Sequence, residues 1–482
     1  MDTPTGMLIA GKWQERAARL PVLNPWNGEP VATVALADEE DVAVAVGAAG
    51  DGAAEMAALP AHERARILSR TAELVRDHAE VLTGTIIAES GKPRRYAAAE
   101  VDRAGETLRF AAEEARRIHG ETVPMDAARG SERRRGFFIR RPLGVIAAIC
   151  PFNFPLNLVV HKVAPALAAG NAVVLKPASA TPLTALRLGE LLLEAGLPPA
   201  ALGIVVGPGG SVGRALVRDS RVRMVSFTGS AEVGENIKAD SGLKRVALEL
   251  GSNSGVIVDE TANLETALAR CLVGAFAYSG QVCIHTQRLY LHEAIAGEFT
   301  ERFVAGAERL KCGDPALAAT EIGPMIDAAA LSRALALVEQ AQAAGARLLC
   351  GGAAEQLVMR PTVLDGVDPE MPVVCEEAFA PVVTIETFGG FDEAVAMFNR
   401  GSSAGSREYG LACGVFTRDV VRAFDAAERI RAGSIYINDS ATFRADHAPY
   451  GGVRDSGIGR EGPRFAVEEM TDITMVSFNL DA

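Results

Sequence analysis

The sequence predicts an α/β protein: a doubly wound parallel sheet, a second α/β domain and a projecting β arm. Three observations predict it. Between residues 144 and 249, short apolar strand-like runs alternate with helical ones, the pattern of a parallel sheet with helices on both faces. A second alternation starts at Gly255 and runs to about residue 437. Ahead of both, Gly130 to Arg135 is a polar turn and Gly136-Phe137-Phe138-Ile139-Arg140-Arg141 is strand-like, so residues 122–142 read as a hairpin arm.

Taken in order, residues 1–35 hold short strands and turns, with Asn24-Pro25-Trp26-Asn27-Gly28 as a turn signal. From residue 39 to about 119 the chain is Ala-rich and helical in period, with Asp38 as N-cap, a break at Ser90-Gly91-Lys92-Pro93, and one long amphipathic helix over 97–117 carrying Arg103 and Arg109. Strands are expected at 144–149, 172–176, 204–206, 224–228 and 245–249, with helices at 156–169, 183–195, 212–218 and 232–240 between them. The second series has strands at 256–258, 288–291, 348–352 and 381–388, a helix at 264–277, and a polar loop at 401–406. Residues 474–478 read as an edge strand. The division is then 1–121 with 143–250, 251–466, and an arm and tail at 122–142 and 467–482.

Composition narrows the function. The chain has 482 residues, 49% hydrophobic and 23% charged, with a net charge of −13, which argues against nucleic-acid or anionic-membrane partners, since both need clustered Lys and Arg. The basic run Arg133-Arg134-Arg135 reads as a solvated arm. Seven cysteines (Cys150, Cys271, Cys283, Cys312, Cys350, Cys375 and Cys413) are scattered without a Cys-x-x-Cys, which fits a reducing cytoplasm and offers no metal framework. No secretory signal is evident and no apolar run reaches the ~20 residues of a membrane span.

One stretch carries the chemistry. In Tyr278-Ser279-Gly280-Gln281-Val282-Cys283, a thiol follows a small-residue turn between a helical pattern and a strand, where it faces a cleft rather than a core. Such a thiol is a nucleophile when its thiolate is favoured or a base is near. Glu249, in Leu248-Glu249-Leu250-Gly251-Ser252-Asn253, is the first candidate base. Asn153 lies between prolines in Pro151-Phe152-Asn153-Phe154-Pro155; its amide can donate to a developing oxyanion or simply form the turn. Phe227-Thr228-Gly229-Ser230 with Gly234 closes a strand and opens a helix, where a diphosphate can approach backbone N–H groups, although glycines also serve plain strand–helix turns. Lys176-Pro177-Ala178-Ser179, at a strand end, can reach a ribose hydroxyl or phosphate, or be solvated.

In this order, and with Glu376-Glu377-Ala378-Phe379-Ala380-Pro381 added, these motifs resemble the aldehyde dehydrogenase superfamily from about Asn24 to Thr474. The resemblance implies an NAD(P)-binding domain in the first part, a catalytic domain in the second and an oligomerisation arm. It implies that Cys283 attacks the aldehyde, that Asn153 and the Cys283 N–H hold the oxyanion, and that Glu249 activates the water that hydrolyses the thioester. Lys176, Ser179, Phe227, Gly229, Ser230, Gly234, Glu377 and Phe379 match cofactor-binding positions. Ser252 and Ala380 stand where the family usually has glycine, which puts nicotinamide placement in question. Ser179 replaces the glutamate of NAD-preferring relatives, so NADP is favoured over NAD, and no metal is implied.

The substrate end is read less directly. Arg103, Phe154, Asn157, His161, Val282, Ile284, Arg444 and Tyr450 match the family's tunnel positions. Buried Arg103, His161 and Arg444 need partners, and an anionic substrate tail would supply one. That reading favours a small polar or anionic aldehyde of the phosphonoacetaldehyde, glyceraldehyde 3-phosphate, lactaldehyde or succinate semialdehyde type. The competing reading pairs Arg103 with Glu100 or Glu106 and Arg444 with Asp446. His285, Tyr278, Cys350 and Cys375 read as packing residues. A CoA-acylating relative and a non-catalytic dinucleotide-binding protein are the alternative functions; Glu249 opposes the first, and Cys283, Glu249 and Asn153 together oppose the second. Arm and tail are expected to pair across subunits in a homodimer or homotetramer.

Overall fold

The computed structural model describes residues 4–400 and 407–481; the polar loop expected at 401–406 lies outside them. Two hairpins open the chain, β1 (Met7–Ile9) with β2 (Lys12–Gln14) and β3 (Arg19–Leu23) with β4 (Pro30–Ala35). Four helices follow: α1 (Glu39–Ala58), α2 (Ala61–Asp77), α3 (Ala79–Ser90) and α4 (Arg94–Ala115). Asp38 caps α1 as its position predicts, accepting from Glu40 N and Asp41 N while the Asp41 side chain accepts from Asp38 N. Gly91, at φ +66°, ends α3 in the left-handed region. Pro93 then stands directly before α4, which starts three residues earlier than its periodicity suggests, because a proline ahead of the first turn loses no intrahelical bond.

The arm, β5 (Thr122–Val123) and β6 (Arg134–Pro142), leads into β7 (Val145–Ile149), α5 (Asn157–Ala168), β8 (Ala172–Lys176), α6 (Leu183–Glu194), β9 (Leu202–Ile204), α7 (Arg214–Arg218), β10 (Val222–Thr228), α8 (Ala231–Asp240) and β11 (Arg245–Glu249). Two carboxylates far back in the chain cap this series. Glu100 accepts from Leu156 N and Asn157 N at the start of α5, and Glu89 from Leu183 N and Thr184 N at the start of α6. The strands β9-β8-β7-β10-β11 are parallel, and the chain order reverses between β7 and β10. A crevice beyond the carboxyl ends at that switch is where such sheets take ligands.

The second sheet is β14-β17-β18-β13-β12-β19-β20, formed by Arg347–Cys350, Thr362–Asp365, Val382–Phe388, Arg288–His292, Gly255–Val258, Ala412–Phe416 and Ser434–Ile437; a two-residue hairpin, β15 (Ala354–Glu355) with β16 (Val358–Met359), lies outside it. Helix α9 (Leu264–Phe276) runs from β12 toward Cys283. The chain then returns: β21 (Gly457–Ile458) pairs with β11 of the first sheet, Glu249 opposite Gly457. A two-residue strand has no period to read, so the sequence division at 251–466 contains a strand of the first sheet.

The tail, β22 (Thr471–Asn479), pairs with β6 over nine residues, from Thr471 opposite Pro142 to Asn479 opposite Arg134. Within one chain arm and tail satisfy each other's backbone groups, and the outer side of β22 is an edge that stays open for a neighbouring subunit of the kind expected. Among the described residues no single helix is long and apolar enough to cross a membrane.

Candidate active site

The Cys283 loop is held by its backbone. Tyr278, Ser279 and Gly280 are consecutively left-handed, at φ 50°, 54° and 68°, a conformation that strains the two non-glycine residues. Gly280 lies so close to Ala380 that a Cβ there would run into the Ala380 carbonyl oxygen. Side chains fix the turn: Tyr278 Oη donates to Ser90 O at 3.2 Å, Ser279 Oγ to Gly323 O at 2.8 Å, and Gln281 Oε1 accepts from Ile326 N at 2.9 Å. Cys283 emerges half-buried, its Sγ 2.9 Å from the Tyr450 hydroxyl. Burial pushes its thiol up to about 11, while the Tyr450 hydrogen bond and the Arg444 charge pull it down.

Glu249 ends β11 and is buried, with Oε2 lacking a hydrogen-bond partner among the described residues. Burial first, and repulsion by Glu461 second, hold its carboxyl well above the usual range. Gly451 leaves it room, since a Cβ there would lie 2.7 Å from Glu249 Oε1. Glu461 is itself held by Lys162 Nζ at 2.7 Å and Arg444 Nη2 at 2.9 Å, and those cations keep it ionised, at about 2. Asn153 reaches the loop from the other sheet: its Nδ2 donates to Gln281 O at 2.9 Å. An amide has two N–H donors, so one is left. His285 is buried, and burial pushes its ring down to about 4, consistent with packing rather than base chemistry.

A cavity of about 320 Å³ leads to Cys283, its wall including Lys92, Arg103, Arg270, Arg444 and Tyr450. The expectation that Arg103, His161 and Arg444 lack partners in the chain is corrected. Arg103 forks onto Asp446, at 2.8 and 2.7 Å, and not onto Glu100 or Glu106. Asn157 Nδ2 and His161 Nε2 meet the same carboxylate at 3.1 and 2.9 Å. Arg444 pairs with Glu461, and its approach to Asp446 is longer, 3.7 Å. His161 lies behind the wall, kept neutral by burial. Glu100, the carboxylate expected to hold Arg103, instead pairs with the fully buried Lys92, which stacks 3.8 Å over Phe154.

A second crevice, about 620 Å³, opens at the ends of β7, β8 and β10. Lys176, Phe227, Gly229 and Ser230 line it, and Ser230 caps α8, its Oγ accepting from Val233 N. Lys176 is buried, lowered to about 8 by that burial, with one bond to Pro177 O at 2.9 Å. Thr228 Oγ1 is buried there with no partner among the described residues, and Cβ atoms at Gly209 and Gly210 would meet nothing within 4 Å. An open backbone, a helix N-terminus, a half-satisfied lysine and an orphan hydroxyl fit a dinucleotide diphosphate and ribose. Ser179 lies just off this wall, its Oγ donating to Gly207 O at 3.0 Å. Gly234 lies outside the crevice lining and faces Leu250, where a Cβ would run into the leucine side chain, so this glycine lets α8 pack close to the end of β11. Glu377 accepts from Ser252 N at 2.9 Å, and burial raises it to about 7; Phe379, at φ 48°, meets Phe152 edge-on at 5.9 Å. Ala380 is wholly buried in the core beneath the helix Ala328–Ala343, so its methyl group does not reach the crevice. Among the described residues no cluster of three metal-ligating side chains occurs.

Sequence reasoning missed Lys162 and Glu461, and named Asp446 only as a partner for Arg444 and not for Arg103, Asn157 and His161. Lys162 left a signal, a lone charge in the otherwise apolar stretch of α5; Glu461 lies outside the longer helices and strands and left none.

A cavity that leads to Cys283, an Asn153 amide reaching its loop from the first sheet, and a crevice beyond the carboxyl ends of that parallel sheet define an enzyme of the dinucleotide-binding α/β class. The Aldehyde dehydrogenase family model matches residues 13–476, and the chain belongs to that family. It is 42% identical over 475 residues to a 3-sulfolactaldehyde dehydrogenase of Priestia megaterium, covering 98% of each. Aldehyde dehydrogenase 21 from Physcomitrella patens, solved in complex with the reaction product succinate, matches with a TM-score of 0.96 at 37% identity, covering 100% of this chain and 99% of that one. Glyceraldehyde-3-phosphate dehydrogenase GapN from Methanocaldococcus jannaschii, complexed with NADP, matches with a TM-score of 0.91 at 35% identity, covering 97% and 99%. The protein is an aldehyde dehydrogenase.

Proposed function

We propose that the enzyme oxidises a short aldehyde with an anionic tail, using NADP, through an acyl adduct on Cys283. The observation that carries the substrate class is the cavity wall. Arg103, Arg270 and Arg444 line the cavity while the carboxylates that pair them, Asp446, Asp439 and Glu461, lie outside its lining, and the Lys92–Glu100 pair is fully buried at its edge. A field of that sign favours a carboxylate, sulfonate or phosphate tail. Relatives named for 3-sulfolactaldehyde and glyceraldehyde 3-phosphate, and one holding succinate, support the same class.

The residues divide the work. Cys283 Sγ bonds to the carbonyl carbon, and the carbonyl π pair moves to oxygen, where the free N–H of Asn153 and the Cys283 backbone N–H receive it. Lys176, the N-terminus of α8, Thr228 and Glu377 would hold the dinucleotide. When bound, it supplies the hydride acceptor that turns the adduct into a thioester. Glu249 then takes a proton from water, the hydroxide bonds to the acyl carbon, and the carbon–sulfur bond breaks to release the acid and Cys283. The buried base favours water over CoA as the acceptor.

NADP over NAD is supported by the missing carboxylate at Ser179, by the buried Lys176, and by Arg214 on the same wall, held to Asp240 at 3.0 Å through Nε. The open edge of β22, with Ile473, Met475 and Phe478 exposed, supports a homo-oligomer, and seven free cysteines support a cytoplasmic setting.

The test is kcat/KM for 3-sulfolactaldehyde, succinate semialdehyde and glyceraldehyde 3-phosphate against butyraldehyde, each with NADP and NAD. At least one anionic aldehyde should exceed butyraldehyde by roughly 100-fold. Equal values across the panel would sink the substrate reading, and equal use of NAD the cofactor reading.

A further inference from the structure

The family resemblance places Tyr450 among residues that merely line a tunnel. Its hydroxyl instead lies 2.9 Å from Cys283 Sγ, and Cys283 is its side-chain partner among the described residues. The Arg444 guanidinium sits 3.7 Å over the centre of its ring. One residue fixes both: Glu461 exchanges two backbone hydrogen bonds with Tyr450, at 3.1 and 2.7 Å, and its carboxylate holds Arg444 at 2.9 Å. Ring and cation are therefore placed beside the half-buried sulfur by one short antiparallel bridge, and both are themselves buried.

We propose that Tyr450 is a catalytic residue, whose hydroxyl donates to Cys283 Sγ and stabilises it as thiolate both before attack and when it leaves the acyl carbon. The inference rests on Cys283 being the nucleophile. The thiol proton passes to water in the cavity, the electron pair stays on sulfur, and Tyr450 keeps its own proton. Forming the sulfur–carbon bond draws that pair away and slackens the hydrogen bond. Breaking the bond in the last step returns the pair to sulfur, and the hydroxyl receives it again. Burial holds Tyr450 far above the usual phenol range, so at neutral pH it remains the donor. Arg444 over the ring draws electron density from it, which strengthens the hydroxyl as a donor.

The charges around the sulfur are mixed. Arg444 favours the thiolate; Glu249 and Glu377 oppose it. Tyr436 also senses the sulfur's charge. Arg444 is in turn faced by Glu461 and Asp446. The remaining cations of the cavity wall are paired, Lys92 with Glu100, Arg103 with Asp446 and Arg270 with Asp439. Against that background a direct hydrogen bond to the sulfur is the contribution that Tyr450→Phe removes while keeping the ring and its packing.

The experiment follows iodoacetamide alkylation of the full-length enzyme against pH, with Cys283 modification quantified by mass spectrometry. Tyr450→Phe should move the alkylation midpoint up by about one pH unit or more and lower kcat about tenfold or more with KM little changed. Tyr450→3-fluorotyrosine, a more acidic phenol of nearly the same shape, should move the midpoint down, and this arm stands even if the Phe variant folds poorly. Arg444→Lys, which keeps the charge but not the planar stack, should move it up by less than Tyr450→Phe; no movement removes Arg444 from the proposal. A midpoint unchanged in both Tyr450 variants overturns it. Cys283→Ser separates the two readings: turnover at the parent's rate sinks the nucleophile itself, whereas a dead Ser variant beside unshifted Tyr450 variants sinks Tyr450 alone.

Discussion

Arg103 on α4 and Asp446 are 343 residues apart in sequence and joined by two parallel hydrogen bonds, 2.8 and 2.7 Å. The same carboxylate takes His161 and Asn157 from α5. Asp446 thus fastens an irregular segment, the one that ends in Tyr450, onto two helices of the first half.

Asp446→Asn should therefore loosen the active-site wall as well as the fold. Removing one partner from a buried pair leaves the other cation uncompensated, which costs about 3 kcal/mol, read as a lower urea midpoint at pH 7. The pH dependence has a definite sign. The hydrogen bonds from His161 and Arg103 hold the Asp446 carboxyl far below its usual range despite burial. Its contribution is fully present above about pH 4, the unfolded value, and is lost as pH falls below that. The gap between parent and variant should narrow under acid conditions.

Glu461→Gln should move the pH profile of thioester hydrolysis. In the role proposed for it, Glu249 acts as a base only when deprotonated, so the rate rises with pH through its raised value. The Glu461 charge helps raise it, and Lys162 and Arg444 oppose that. Losing the anion while keeping both cations moves the rising limb to lower pH, by about one unit. Single-turnover deacylation across pH 5–9 checks this, and a limb that moves upward contradicts the placement of Glu461 beside the base.

Much of this was readable and some was not, for identifiable reasons. The strands at 172–176 and 245–249 are apolar runs closed by Gly, Pro or a charge, and the structure reproduces them residue for residue. Cys283, Glu249 and Asn153 each stand in a local motif, so they could be singled out before any geometry. The π-turn Gly209–Gly213 that opens α7 could not, because glycines fit many turns. Nor could the left-handed Tyr278 and Ser279, whose conformation is imposed by contacts with Ser90 and Gly323. Asp446, Glu461 and the capping carboxylates Glu89 and Glu100 act over 17 to 343 residues of sequence separation. Pairings of that range are chosen by the fold and leave no period in the chain.

Gly280→Ala should silence Cys283, the proposed nucleophile, without touching it. The position is left-handed, and a Cβ would strike the Ala380 carbonyl, so the loop carrying Cys283 must shift. A displacement of about 1 Å at a reacting atom costs about 100-fold in rate. Iodoacetamide labelling of Cys283 and kcat should fall together, and unchanged labelling would mean the loop absorbs the methyl group.

His285→Leu should flatten part of the acid limb of stability. Burial lowers the ring from its ordinary 6.5 to about 4. The folded state then favours neutral imidazole: its contribution is fully present above pH 6.5 and is lost as pH falls toward 4. That difference corresponds to about 3 kcal/mol. Urea unfolding at pH 7.5 and pH 4.5 should show a smaller drop for the variant than for the parent, and parallel drops would show that the ring already charges in the fold.

On the proposed NADP reading, Ser179→Glu should shift cofactor use from NADP toward NAD. Ser179 stands three residues beyond Lys176 at the end of β8, with its hydroxyl on the Gly207 carbonyl. A carboxylate there would meet the 2′-phosphate of NADP as a like charge in a partly buried place, where such pairs cost several kcal/mol. With NAD the same carboxylate would accept from the free ribose hydroxyls instead. KM for NADP should rise at least about tenfold while KM for NAD falls, both measured at saturating aldehyde. If the two constants instead move together, position 179 does not read the 2′ substituent, and Lys176 with Arg214 would have to carry the discrimination.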